Sequence, residues 1–324
     1  MTYGDIVTKF FFEALPTMQV APAVRFEAIS AAVFGTKQLR YGPLPPPEVQ
    51  VTVREALRRD GPVLFFVPWG VAKQEPGAKL DVLEFMALRQ LRCVRDTLAR
   101  YGVESRFVFR LDDNSDRWNL GEDRGGDIDE YADDFRLLIL EVLGTDGLAR
   151  RESQLAGYAD FRATAERLTP VFFKVITKAA DPSALAEIGW KGGLPQEQLD
   201  YYYAAYRQFY PGQDHQYIAA KYFASALTRH KLGATAVPTG PHVAVSFFRP
   251  VPGHPLAGNR VYYRTLPERY THQHKAPWGG RGYLEVSADG ACAPKYVEKE
   301  VAGRLTDHAV QIGGVTVAAP YLEV

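Results

Sequence analysis

Three short stretches of this chain bring together the residue types that could do chemistry. FFVPWGVAKQEPGAKL (65–80) passes from an apolar run into a loop carrying Trp69, Lys73 and Lys79. RLDDNSDR (110–117) sets Arg110 beside Asp112 and Asp113, with Asp116 and Arg117 just beyond. Lys73, with backbone amides at the start of the following helix, could hold a phosphate or carboxylate. Asp112 or Asp113 could orient hydroxyls or move protons. The third stretch, RYTHQHKAPWGGRGY (269–283), holds His272 and His274, alternating so that an extended strand turns both rings to one side. That spacing suits a metal, yet no nearby carboxylate pattern completes a ligand set. The competing reading is a polar wall in which Lys275 and Arg281 hold an anion and Trp278 forms a pocket face. Lys73, Asp112, Asp113, His272 and His274 form the candidate catalytic set. Arg229, in a basic RHK run, is a candidate for the same cleft, although charge at a helix C-terminus explains it equally well.

The motifs that are missing narrow the chemistry. There is no GxxxxGK[ST] loop, no GxGxxG after the first strand, no GxSxG elbow and no HExxH, which argues against the usual nucleotide kinases, dehydrogenases, serine hydrolases and zinc peptidases. Lys+Arg and Asp+Glu are equal at 38 each, so no basic excess points to nucleic acid. The two cysteines, Cys93 and Cys292, suggest neither a zinc site nor a disulfide framework, and a reducing cytoplasm is the expected compartment. No apolar run approaches the roughly 20 residues needed to cross a bilayer.

The elements that must position these residues follow from periodicity. Residues 1–45 read as a helical prelude ending in the proline-rich connector YGPLPPPEVQ (41–50). Val63–Val67 is continuously apolar, as expected of a strand buried on both faces. Leu80, Leu83, Ala87, Leu91, Val94 and Leu98 mark one stripe of a helix, with Asp81 and Glu84 as a capping box and Gly102 as its stop. Arg106–Leu111 is a second strand, so strand–helix–strand reads as a right-handed crossover between parallel strands. Residues 112–127 read as a long polar loop, followed by helices over 129–143, within 153–168 and over 195–232. The segments 243–248, 260–265, 282–286 and 310–317 read as strands added antiparallel. The expected fold is one α/β domain over residues 1–324, a Rossmann-like sheet with parallel core strands, flanking helices and C-terminal antiparallel strands. In such sheets ligands sit beyond the carboxyl ends of the strands.

The order of several segments resembles a known family, the isonitrile (isocyanide) synthases, which include enzymes of tyrosine and tryptophan isonitrile pathways and of spore-wall dityrosine formation. DGPVLFFVPWGVAKQEP, FRLDDNSD and DIDEYADDFRLLI are similar to its first half. HVAVSFFRPVPG, KAPWGGRGYLEVSADG and KYVEKEVA are similar to its SIHP strand, its TPWH segment and its closing basic helix. The likeness runs over residues 50–302. Lys73 is kept without the family's serine, Ser246 matches the SIHP serine, and Gly279 stands where the family has histidine. The resemblance implies a cytoplasmic enzyme of secondary metabolism without metal or redox cofactor. Such an enzyme condenses the α-amine of an aromatic amino acid with ribulose 5-phosphate to make an isonitrile. It implies Lys73 and Arg110 at the phosphate or sugar, and Asp112 or Asp113 in hydroxyl orientation and proton transfer. Arg229, Lys275 and Arg281 would hold anionic groups, Trp69 and Trp278 would shape the pocket, and Ser246 would bind substrate. The expected partners are the amino acid and the phosphosugar, with neither nucleic acid nor membrane; a homodimer is left open. The departures keep two alternatives in view: another C–N bond-forming or sugar-phosphate reaction on the same scaffold, or a non-catalytic small-molecule binder.

Overall fold

Strand β1 (Val63–Trp69) is apolar along its length because both of its faces are covered, and it becomes the centre of the molecule. The computed structural model describes residues 2–13, 61–73, 79–191, 210–247, 260–263 and 277–324, with scattered positions between them. Five strands lie in the order β3-β2-β1-β4-β5: β2 is Ser105–Leu111, β3 Gly147–Arg151, β4 Val243–Ser246 and β5 Arg260–Tyr262. Every pairing among them is parallel. The chain builds outward from β1 through β2 to β3, then returns to the other side of β1 with β4. This is a Rossmann-like α/β sheet, with its switch point between β1 and β4.

Helix α1 (Tyr3–Phe12) opens the chain, closed by a Thr2–Asp5 capping box. Helix α2 (Val82–Arg100) starts at the expected Asp81–Glu84 capping box and ends before Gly102, whose φ of 68° suits glycine. It covers one face of the sheet together with α4 (Gly125–Leu143), and Phe65, Val67, Trp69, Phe107, Phe109 and Leu111 point into that shared core. Helix α3 (Asp113–Leu120) lies between β2 and α4. Helices α5 (Tyr158–Ile176) and α7 (His215–Lys231) pack together over a separate cluster centred on Phe172 and Phe223, which the short α6 (Ser183–Glu187) also joins. A second sheet, built from β6 (Gly282–Val286), β7 (Cys292–Tyr296) and β10 (Tyr321–Glu323), stands beside α1 and α2, and α8 (Lys299–Ala302) follows β7. Among the described residues no helix is long and apolar enough to cross a membrane.

Three expectations are corrected. The strands β4 and β5 were expected as antiparallel additions but are parallel members of the main sheet. Strands of four and three residues carry a burial pattern but nothing that encodes direction. Residues 310–317 form two strands, β8 (Ala309–Ile312) and β9 (Val315–Ala318), turning at Gly313-Gly314. That glycine pair is a two-residue hairpin signal, and Gly313 has φ 58°. Residues 112–127 are not a loop but α3 and the beginning of α4. Asp, Asn and Ser favour turns in isolation, whereas here the acidic residues of DDNSD occupy a helix N-terminus, where negative charge is favourable.

Candidate functional site

The carboxyl ends of β1, β2 and β3 converge on a cluster of ionised and polar side chains. At the end of β2, Arg110 donates to both oxygens of Asp112, from Nε at 2.6 Å and from Nη2 at 3.2 Å, while its guanidinium lies 5.5 Å from the ring centre of Phe66. Arg229 reaches in from the last turn of α7. Its Nη2 lies 3.3 Å from Asp112 and donates to the Ser115 hydroxyl at 2.8 Å, and its Nε pairs with Glu152. Glu152 directly follows β3; it is fully buried and accepts the Ser115 amide at 2.9 Å. Asp116 accepts the Val71 amide at 2.6 Å, which ties the cluster to the end of β1. The structure therefore joins Arg110, Asp112 and Arg229, three expected site residues separated by as much as a third of the chain.

Burial sets the protonation of this cluster. It pushes Glu152 up to about 7, with Arg229 opposing and Asp112 reinforcing the shift. It holds Asp116 well above the ordinary carboxylate range; Asp112 adds to this and the Val71 amide opposes it. Burial alone would lower Arg229, but Asp112 and Glu152 outweigh it and push the guanidinium upward. Carboxyl groups raised by burial beside one held by guanidinium form an acid–base arrangement. Asn114 Oδ1 and Thr228 Oγ1, next in sequence to Ser115 and Arg229, are buried with no hydrogen-bond partner among the described residues. Buried acceptors are normally satisfied, so the neighbourhood keeps capacity for a donor.

Sequence reasoning missed Glu152 and Ser115. Glu152 would have been visible only by recognising β3, whose sequence GLARR alternates between half-buried and exposed and lacks a strand's usual apolar signal.

The other expected residues lie apart from this cluster. Lys73 is buried, its ammonium 2.6 Å from Glu84 Oε1 and 3.2 Å from Asp81 Oδ2, donating also to the carbonyls of Pro277 at 2.7 Å and Gly280 at 2.9 Å. It ties the loop after β1 to the start of α2 and to the segment before β6. Burial, opposed by Lys73 and reinforced by Asp81, pushes Glu84 up to about 8. Trp69 is a core residue, stacked on Phe135 at 4.4 Å with Trp278 at 4.8 Å and its indole N–H donating to Tyr131. Lys79 is exposed and pairs with Glu130. Asp113 turns toward α4 and β3, accepting from Arg151 at 3.0 Å and from the Ser153 amide at 3.1 Å. Ser246 is buried at the end of β4, and Arg281 is exposed just before β6. His272, His274 and Lys275 lie outside the described residues.

The close approach at Gly70 carries a prediction. A Cβ there would fall inside the Trp278 indole, closer than van der Waals contact. Gly70→Ala is expected to destabilise the protein by about 1–3 kcal/mol, measured by denaturant titration followed by tryptophan fluorescence. An unchanged midpoint would mean that Trp278 does not pack on this loop.

No protein-family model matches the chain, and no curated protein does. Among solved structures, the PvcA protein from Pseudomonas aeruginosa is similar at TM-score 0.52 and 15% identity, with 99% of this chain and 100% of that one covered. The two share a fold from end to end. Tyrosyl-tRNA synthetases from Archaeoglobus fulgidus (complexed with L-tyrosine) and Aeropyrum pernix match at TM-scores 0.36 and 0.34, with 11% and 13% identity. Each covers 74% of this chain, and 63% and 61% of the synthetases respectively; at these scores the likeness carries no argument.

Proposed function

We propose that this chain is an isonitrile synthase-like enzyme that joins the α-amine of an aromatic amino acid, tyrosine or tryptophan, to ribulose 5-phosphate. The observation that carries the reading is the meeting of Arg110, Asp112 and Arg229 at the strand ends, in a chain with the α/β fold that its segment order implies. In this reading Asp112 orients hydroxyls or an amine, and Asp116 and Glu152, raised by burial, carry protons. Lys73 is left out of the anion grip because two carboxylates and two carbonyls already hold it. The phosphate then falls to Arg281 and Lys275.

One observation favours a second reading. Both arginines of the cluster are paired with carboxylates, so it suits a polyol or an amine better than a phosphate. That points to a different C–N bond-forming or sugar-processing reaction, or to small-molecule binding without turnover.

The test is to incubate purified protein with ribulose 5-phosphate and each aromatic amino acid and to look for the isonitrile by mass spectrometry. Product that is lost in Asp112→Asn, with the fold retained by circular dichroism, is the expected result. Binding of the sugar phosphate without product would favour the second reading, and binding of neither reactant would reject this substrate class.

A further inference from the structure

On α4, Asp133, Arg136, Leu137, Leu140 and Glu141 form one exposed stripe, in which Leu137 is 40% and Leu140 51% exposed. The helix packs on β3, an edge of the main sheet: it pairs with β2 on one side, and no described strand pairs with the other. Leu148, in the middle of β3, is 47% exposed. An open strand edge with an exposed apolar side chain invites another strand. Neither Arg136 nor Glu141 has an ionic partner among the described residues, although the Glu141 side chain rests on Gly313.

We propose that α4 and β3 form the two-fold interface of a homodimer. The β3 edges of two copies pair antiparallel about Ala149, and the two α4 helices lie side by side in opposite directions.

The spacing of the residues supports this occupant over an unrelated one. When two identical helices meet antiparallel about a two-fold between Leu137 and Leu140, positions that sum to 277 face each other. Leu137 then meets the partner's Leu140, and Arg136 meets the partner's Glu141, so opposite charges close both ends of an apolar centre. The same axis serves the strands. The midpoint of Leu137 and Leu140 lies about 7 Å before the end of α4 at 1.5 Å per residue. Ala149 lies about 7 Å into β3 at 3.3 Å per residue. Gly147, the first residue of β3, lies against Ile139 and Leu143 of α4, so an axis normal to the sheet near Ala149 can serve both elements, and pairing about it sets Leu148 against the aliphatic stem of the partner's Arg150. Two sheets of five strands become one of ten.

Sedimentation velocity on the full chain tests this directly. A dimer at micromolar concentration is expected, weakened roughly 10- to 100-fold by Arg136→Glu and likewise by Glu141→Arg, because each swap places like charges together twice per dimer. The double variant Arg136→Glu/Glu141→Arg should restore the wild-type association, a result that a merely damaged fold could not give. A chain that stays monomeric at about 100 µM, a dimer indifferent to both swaps, or a double variant that fails to recover would overturn the proposal.

Discussion

Replacing Lys73 by methionine should destabilise the protein by roughly 3–5 kcal/mol, the cost of breaking a buried ion pair by removing one partner. Methionine nearly fills the volume, so the loss is electrostatic. The ammonium touches Glu84 and Asp81 and donates to two carbonyls, and only 1% of the residue is exposed. Without it, the carboxyl groups of Asp81 and Glu84 and two carbonyl groups face one another in a dry site. Asp81 cannot simply turn away, because it caps α2 through the Leu83 amide and also accepts the amide of Gly282. Burial already pushes Glu84 upward, so Lys73→Met/Glu84→Gln should recover part of the loss. Urea titration of the three forms measures both effects. A loss below about 1 kcal/mol in Lys73→Met would mean that the ammonium is not held in this buried ion pair.

That contrast shows where the sequence is legible and where it is not. The strand–helix–strand of β1, α2 and β2 is readable because each element satisfies its own local rule: a two-sided apolar run, a capping box with a 3.6-residue stripe, and a glycine stop. A loop after a parallel strand announces a ligand, and so Lys73 reads as a ligand group. Its real partners lie in α2 and before β6, the latter some 200 residues on, a contact no spacing rule contains. The acidic DDNSD stretch fails for the same reason. Its residues resemble a loop until Arg110, Arg151 and Arg229 supply the charge that lets them stand together at a helix start.

Part of the site was nevertheless within reach. Arg110 and Asp112 are two residues apart at a strand end, and the rule that ligands gather there singles them out. Arg229 stands in a basic run at a helix end, where the helix dipole explains it as well as a site does. Only the fold separates the two accounts, by turning it toward Asp112 and Glu152 while its neighbour His230 stays exposed. The directions of β4 and β5 could not be read at all, because strands of three or four residues are too short for their sequence to separate parallel from antiparallel pairing.

Arg229→Leu tests that cluster through its dependence on pH. In the folded protein Glu152 is raised from its ordinary 4.5 to about 7 by burial, against the pull of Arg229. Folding therefore takes up a proton between those values, so this group's contribution to stability is complete below 4.5 and is lost as pH rises through 7. Removing Arg229 takes away the charge that favours the ionised form, and the window extends to higher pH. At pH 5 Glu152 is largely neutral in either protein, so the variant loses mainly the contact with Asp112 and the bond to Ser115, about 1–2 kcal/mol. At pH 8 the wild type has largely ionised Glu152, whereas the variant, left with only Arg110 at 3.9 Å, must still hold it protonated, so the loss should grow by roughly 1 kcal/mol, to about 2–3 kcal/mol. Glu152→Gln in the same background should flatten the difference, since an amide does not titrate. Denaturant titrations of wild type, single and double variants at the two pH values decide the matter. An Arg229→Leu loss that is the same at both would mean that Glu152 does not depend on Arg229 for its charge, and the acid–base reading of the strand ends would lose its footing.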